Sequence, residues 1–176
     1  MPGCDNIVII GFMGCGKSTV AAELAHLCGW RVLDLDDVIV ATAGKTIPEI
    51  FAEEGEGFFR SLETSALRGL LGRKGLVVAT GGGVVTRKEN WPLMRELGPV
   101  VFLRTAPDVL RDRLQSPSGR PLADGLSWQD IKSRYQQRLP LYQQADVIVD
   151  VTDESPAEVA RIILRAIENG LDEKHG

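Results

Sequence analysis

Short apolar runs alternate with stretches of helical periodicity along this chain. Five of these runs are nearly continuous in apolar and β-branched residues, at positions 7–10, 31–35, 76–80, 100–104 and 147–151. Runs of this kind are typical of parallel strands that are covered on both faces. Because helical patterns separate the runs, the sequence predicts a three-layer α/β fold around a doubly wound parallel sheet.

Helix-capping signals support this division of the chain. Thr46, Thr105 and Ser127 are each followed three residues later by an acidic residue, which is the spacing of a capping box. Ser155 precedes Pro156, and proline is favoured in the first turn of a helix. Gly29 is expected to end the first helix.

Two segments interrupt the alternation of strands and helices. Between the second and third apolar runs, residues 36–75 carry three helical patterns instead of one. Residues 115–126 are rich in proline, glycine and serine, and a loop of that length in a compact domain is usually functional or disordered. The single arginine of this loop, Arg120, favours a lid that brings one positive charge onto a phosphate.

Length, composition and charge limit the classes of protein to which this chain can belong. The 176 residues suit one domain spanning 1–176, and 44% hydrophobic with 25% charged residues are ordinary proportions for a globular protein. A net charge of −4 without a lysine or arginine block disfavours nucleic-acid binding. Neither a membrane-spanning stretch nor a secretory signal is visible. Three cysteines without metal-ligand spacing fit a protein of the reducing cytoplasm. A monomer is expected, because the sequence shows no exposed apolar stripe.

The most informative segment follows the first apolar run. Positions 11–19 read Gly-Phe-Met-Gly-Cys-Gly-Lys-Ser-Thr, with the G-x4-G-K-S spacing of a phosphate-binding P-loop. Its glycines allow backbone N–H groups to converge on a phosphate, and the helix N-terminus adds a partial positive charge. Lys17 is placed for the β- and γ-phosphates of a nucleoside triphosphate, and Ser18 for a Mg²⁺ ion. A glycine-rich turn without a ligand is the alternative, which the strand-to-helix context disfavours.

Two acidic residues, Asp34 and Asp36, lie at the C-terminal end of the second apolar run, where parallel α/β sheets bind ligands. Alternation along an extended strand predicts that both carboxylates point to the same side. One is suited to hold Mg²⁺, directly or through water, and the other to accept a proton from a hydroxyl group. The alternative is a pair of solvated acids, with Asp36 or Asp37 capping a helix.

Further residues favour a small anionic substrate that bears a hydroxyl group. The glycines at 81–83 follow the third apolar run and permit close approach of an anion or a ring, although a tight turn also explains them. Arg60 is expected on a helix that buries Phe58, with Glu63 on the same face to fix the guanidinium. Arg138 is expected to close the helix after the proline-rich loop. Guanidinium groups bind carboxylates and phosphates bidentately, so both arginines are candidates for binding the substrate. The alternative roles are a surface ion pair for Arg60 and a helix-terminal cation for Arg138.

Taken in order, these elements resemble the shikimate kinase family closely. The similar segments lie between about residue 7 and residue 167, and the ordered set is more specific than the P-loop alone. They are G-x4-G-K-S-T at 11–19, D-x-D at 34–36, F-R-x-x-E at 59–63, G-G-G at 81–83, G-R-P-L at 119–122 and R-x-P-L-Y at 138–142.

The resemblance implies ATP-dependent phosphorylation of the 3-hydroxyl of shikimate, which gives shikimate 3-phosphate and ADP in aromatic amino-acid biosynthesis. Shikimate and ATP are the implied partners, and one Mg²⁺ ion per subunit is the implied cofactor. The implied fold is that of the nucleoside-monophosphate kinases, with a five-stranded parallel sheet in the order 2-3-1-4-5. Residues 36–70 are implied to be the substrate-binding subdomain and residues 115–126 the lid.

The resemblance also implies roles for individual residues. Asp36 would be the catalytic base, Lys17 and Arg120 would stabilise the transferring phosphoryl group, and Ser18 and Asp34 would support Mg²⁺. The residues implied to bind ATP are Gly14, Cys15, Gly16, Lys17, Ser18, Thr19, Arg120 and, at the adenine, Arg113 and Pro156. The residues implied to bind shikimate are Asp36, Gly81, Gly82, Gly83 and, at the carboxylate, Arg60 and Arg138.

Two competing interpretations stay open at this point. A gluconate or nucleotide kinase of the same fold would share the P-loop, but a nucleotide acceptor would require a lid richer in arginine. The F-R-x-x-E segment with the triple glycine favours shikimate over gluconate. A nucleotide-binding regulator that has lost catalysis would be expected to lack Asp36 and the two substrate-side arginines, which are all present.

Overall fold

The computed structural model describes residues 3–115 and 127–172. Its strands, in chain order, are β1 (Asn6–Ile10), β2 (Arg31–Asp34), β3 (Leu76–Ala79), β4 (Val100–Thr105) and β5 (Val147–Val151). They form one parallel sheet in the order β2-β3-β1-β4-β5. The predicted α/β class and the predicted strand order are therefore confirmed.

The helices alternate with these strands as the sequence predicts. In the described parts of the chain they are α1 (Lys17–Cys28), α2 (Leu35–Ala43), α3 (Ile47–Leu70), α4 (Asn90–Leu97), α5 (Pro107–Gln115), α6 (Trp128–Tyr142) and α7 (Pro156–Asp172), with a 3₁₀ turn at Val84–Thr86. Gly55, with a φ of 80°, interrupts α3, so three helical segments separate β2 from β3 as expected. The predicted capping boxes form at Thr46 and Ser127, and Gly29 ends α1 with a φ of 68°. The one predicted at Thr105 is wrong, because the buried Oγ1 of Thr105 has no hydrogen-bond partner among the described residues.

The central strands are more deeply buried than the edge strands. All residues of β1 and β3 are buried, whereas Val32 of β2 and Ile148 of β5 are 44% and 39% exposed. The prediction that every strand is covered on both faces is therefore wrong for β2 and β5, because helices cover the edges of the sheet incompletely. None of the helices within residues 3–115 and 127–172 is long and apolar enough to cross a membrane.

The buried apolar side chains of the described residues form two hydrophobic clusters. The larger one surrounds the sheet, and the smaller one, built on Ile39, Ile50 and Phe59, joins α2 to α3. Phe58, which was expected to be buried, is 45% exposed, so this prediction is wrong. The buried stripe of α3 passes through Phe59 instead, one residue further along the helix.

Candidate active site

The loop between β1 and α1 has the backbone of an anion-binding site. Gly14 and Gly16 have φ angles of 78° and 90°, in the region that favours glycine. Gly16 is also the N-cap residue of α1, and no side chain caps this helix. The first N–H groups of α1 therefore remain available to a phosphate at the positive end of the helix dipole.

Lys17 is held against this loop by the loop's own carbonyl groups. Its Nζ donates hydrogen bonds of 2.9 Å to the carbonyl oxygens of both Gly11 and Phe12. These bonds keep the ammonium group over the loop, within reach of a phosphate that the loop amides bind.

A cavity of about 220 Å³ opens beside the P-loop. It brings together most of the residues that the sequence assigned to ATP: Gly14, Cys15, Gly16, Thr19, Arg113 and Pro156. Arg113 is oriented by a hydrogen bond of 3.1 Å from its Nη2 to the carbonyl oxygen of Thr152. Arg120, like most of the predicted lid, lies outside the described residues.

The two acidic residues after β2 are arranged differently from the prediction. Asp34 is the last residue of β2 and caps α2, because its Oδ1 accepts a 3.0 Å hydrogen bond from the N–H of Asp36. Asp36 therefore lies in the first turn of α2, and strand alternation is the wrong reason for the proximity of the two residues. The alternative in which Asp36 or Asp37 is the cap is also wrong.

The cap leaves the second oxygen of Asp34 directed towards the P-loop. The Oγ of Ser18 donates to Asp34 Oδ2 over 3.4 Å, so the two predicted metal-binding residues do come together. No group of three or more His, Cys, Asp or Glu residues suited to a metal occurs in residues 3–115 and 127–172. Mg²⁺ requires no such group, because it is commonly bound through one or two oxygen side chains, waters and substrate phosphates. A hydroxyl and a carboxylate beside a P-loop fit that chemistry.

A second cavity, of about 170 Å³, is lined in part by the P-loop residue Met13. We call it the acceptor cavity. All six predicted substrate-binding residues line it: Asp36, Arg60, Gly81, Gly82, Gly83 and Arg138. Its other lining residues are Met13, Ile47, Phe59, Glu63 and Arg134.

Arg60 is held between two carboxylates on its own helix. Its Nη1 lies 2.8 Å from Glu63 Oε2, and its Nη2 lies 2.9 Å from Glu56 Oε1. The Glu63 side chain is fully buried, and this burial raises its pKa although Arg60 acts in the opposite direction. Burial also opposes the charge on Arg60, but its ion pairs raise the pKa of the guanidinium overall. The predicted contact between Arg60 and Glu63 is therefore confirmed as an ion pair.

The triple glycine leaves room for side chains from the two helices opposite. A Cβ on Gly81 would lie 2.9 Å from Glu63 Oε1 and 3.1 Å from Asp36 Oδ1, and a Cβ on Gly83 would fall within the guanidinium of Arg60. None of the three glycines has a positive φ. A tight turn does form, since the N–H of Val84 donates to the carbonyl oxygen of Gly81 over 3.2 Å, but its backbone angles do not require glycine. The absence of side chains at these positions shapes the acceptor cavity.

Arg138 and Tyr142 fix the middle of this glycine loop from α6. The Nη1 of Arg138 and the hydroxyl of Tyr142 donate to the carbonyl oxygen of Gly82, over 3.3 Å and 2.5 Å. Tyr142 is fully buried and stacks on Phe102 with ring centroids 5.0 Å apart. The helix runs past Arg138 and through Pro140, so Arg138 does not close it as predicted.

Two charged residues at or near the acceptor cavity were not predicted. Arg134 lies one helical turn before Arg138, and Glu56 lies one turn before Arg60. The four-residue spacing is a signal that each pair shares a helix face. The sequence alone did not show that these faces meet across the cavity.

A P-loop beside a separate acceptor cavity, on a sheet with this strand order, defines a phosphotransferase of the P-loop kinase class. The family profile described as shikimate kinase matches residues 13–168. The chain is 41% identical over 172 residues to the shikimate kinase of Moorella thermoacetica, with 98% of each chain covered. It is 42% identical over 168 residues to that of Trichormus variabilis, covering 94% of this chain and 92% of the relative. The chain thus belongs to the shikimate kinase family.

A solved structure extends this similarity to three dimensions. The shikimate kinase from Acinetobacter baumannii, in complex with shikimate, matches this chain with a TM-score of 0.87 at 36% identity. The match covers 96% of this chain and 95% of that chain.

Proposed function

We propose that this chain transfers the γ-phosphoryl group of ATP to the 3-hydroxyl of shikimate, giving shikimate 3-phosphate and ADP. The observation that carries the proposal is the composition of the acceptor cavity, which Asp36, Arg60 and Arg138 line together next to the P-loop residue Met13. Family membership and the shikimate complex of the Acinetobacter relative support the choice of acceptor. The reaction belongs to aromatic amino-acid biosynthesis, and we expect it in the cytoplasm with a monomeric enzyme.

The acceptor cavity suits a hydroxylated ring acid. Arg60 and Arg138 supply guanidinium groups for a carboxylate, which they bind by charge-assisted hydrogen bonds. The buried Oε1 of Glu63 has no hydrogen-bond partner among the described residues, so a donor such as a ring hydroxyl would satisfy it. Phe59 offers an apolar surface to the ring, and the bare backbone of residues 81–83 admits it closely.

Asp36 is the base in this proposal, and it accepts the proton of the attacking hydroxyl. Phosphoryl transfer passes through a loose transition state, so positioning and charge stabilisation contribute more than proton removal. Lys17 and the P-loop amides would stabilise the charge that develops on the phosphoryl oxygens. We assign the same task to Arg120, and closure over the site to residues 115–126.

The remaining assignments concern the nucleotide and the metal. Gly14, Cys15, Gly16 and Thr19 would bind the phosphates, and Arg113 and Pro156 would contact the adenine. Ser18 and Asp34 would hold Mg²⁺, which supplies positive charge to the β- and γ-phosphates when it is bound. Residues 36–70 would form the substrate-binding segment.

A coupled ADP-release assay with MgATP tests the proposal, with shikimate, gluconate and a nucleoside monophosphate compared as acceptors. We expect turnover with shikimate alone. Asp36→Asn should abolish turnover while leaving ATP affinity nearly intact, because it removes the base without touching the P-loop. Asp37→Asn is the matched control, since Asp37 is exposed and does not line the cavity. Retained turnover in Asp36→Asn would remove the base assignment, and turnover with another acceptor would overturn the choice of substrate.

A further inference from the structure

Three of the five N–H groups of the Arg60 guanidinium already donate hydrogen bonds in this structure. Its Nη1 donates to Glu63, while its Nε and Nη2 both donate to Glu56 Oε1, over 3.2 Å and 2.9 Å. The two carboxylates differ in setting, because the Glu63 side chain is fully buried and the Glu56 side chain is 62% exposed. A substrate carboxylate that binds the Nε and Nη2 edge of Arg60 with two parallel hydrogen bonds therefore competes with the more exposed partner, Glu56.

A second cation is placed to receive the displaced carboxylate. Arg134 lines the acceptor cavity, is half-buried, and makes no hydrogen bond or ion pair with its guanidinium within the described residues. It lies one turn from Arg138, and like charges at that spacing repel each other, so an anion between them is favoured. Hydrogen bonds from Arg60 lower the pKa of Glu56, and the nearby charges of Arg138 and Arg134 lower it further. Glu56 is therefore in the field of all three arginines.

We propose that Glu56 occupies Arg60 in the empty site as a stand-in for the substrate's carboxylate, and that Arg134 receives Glu56 when the acid substrate binds. The inference rests on the proposed function, because it requires an acid substrate at Arg60 and Arg138. The exchange replaces one carboxylate on Arg60 by another, so an acid can complete it and an uncharged ligand cannot. Glu56 thereby acts as a specificity-determining residue, and Arg134 as a positioning residue.

Calorimetric titration of shikimate into the ATP-free enzyme tests the exchange, with Glu56→Gln, Arg134→Gln and the double variant. Exposed ion pairs contribute up to about 1 kcal/mol, so Glu56→Gln should tighten shikimate binding by about two- to fivefold. Arg134→Gln should weaken binding by a similar factor, because displaced Glu56 then lacks a partner. In the Glu56→Gln background the Arg134 substitution should have no effect. The methyl ester of shikimate lacks the negative charge, so Glu56→Gln should not increase the affinity for this ligand.

Matched controls and contrary results are available on the same helices. Glu54→Gln on α3 and Lys132→Gln on α6 remove exposed charges that do not line the cavity, and they should leave affinity unchanged. Weaker shikimate binding by Glu56→Gln would overturn the inference. An equal loss of shikimate affinity from Arg134→Gln in the unmodified chain and in Glu56→Gln would also overturn it, because Arg134 would then act on the substrate directly. Both results leave the proposed function standing. If the unmodified chain does not bind shikimate, the proposed function fails and the inference fails with it.

Discussion

Gly83→Ala is the substitution that most directly tests how the acceptor cavity is built. The single methyl group that it adds would fall within the guanidinium of Arg60, which lies against the backbone of Gly83. Because Gly83 has an ordinary φ of −98°, alanine introduces no backbone strain there. Any effect of the substitution therefore reports on the displacement of Arg60.

The expected magnitude follows from the contacts that the displacement breaks. Moving the guanidinium weakens its 2.8 Å contact with Glu63, whose side chain is fully buried. A buried polar group left unsatisfied costs about 1–3 kcal/mol, so the free energy of unfolding should fall by that amount. A lost hydrogen bond to a charged substrate group costs about 1.5–3 kcal/mol, which corresponds to a rise in the Kd for shikimate of about 10- to 150-fold.

Urea denaturation and calorimetric titration with shikimate measure the two effects separately. Gly69→Ala is the matched control, because Gly69 lies within α3 and an added Cβ meets nothing within 4 Å. It should stabilise the protein by about 0.5–1 kcal/mol through the higher helix propensity of alanine and leave shikimate affinity unchanged. If Gly83→Ala changes neither stability nor affinity, the reasoning that Gly83 makes room for Arg60 is refuted.

Three further predictions concern stability and reactivity. Asn6→Ala should lower the free energy of unfolding by about 2–4 kcal/mol, because the buried amide of Asn6 makes three hydrogen bonds to backbone groups. Urea denaturation measures the change, and a loss below about 1 kcal/mol would contradict the prediction. Tyr142→Phe should cost about 1–2 kcal/mol in the same assay and raise the KM for shikimate, because the carbonyl oxygen of Gly82 loses its hydroxyl donor. Burial raises the pKa of Cys4 from 9.0 to about 11, so its thiolate fraction at pH 8 should be about a hundredfold below that of an unperturbed thiol. Alkylation of Cys4 by iodoacetamide should accelerate as the pH rises towards 11, and a rate that levels off near pH 9 would contradict this.

Local signals in the sequence were sufficient for the P-loop and for the order of elements. The P-loop depends on consecutive residues, and the glycines at 14 and 16 adopt the backbone that their spacing indicates. The capping box at Thr46 likewise involves residues only three positions apart. Interactions of this range are encoded within one turn of chain, so they can be inferred without knowledge of packing.

Errors arose where a long-range contact or a competing local one decides the outcome. Alternation along a strand predicts an extended chain through Asp36, but the side chain of Asp34 stabilises a helix start and ends the strand there. Phe58 and Phe59 are adjacent, and only the packing of α3 on α2 decides which of them is buried. Arg134 and Glu56 were missed because their relation requires two helices from distant parts of the chain to face one cavity.

The small cluster of Ile39, Ile50 and Phe59 has a consequence for how this protein can change over evolutionary time. Its three buried residues are distinct from those around the sheet, although Leu35 of α2 belongs to the larger cluster and Ala66 packs against both. Substitutions that reshape the small cluster are buffered from the strands that carry the P-loop. Selection for a different acceptor can therefore act on α2 and the first part of α3, while the loop between β1 and α1 that receives the phosphates is inherited unchanged.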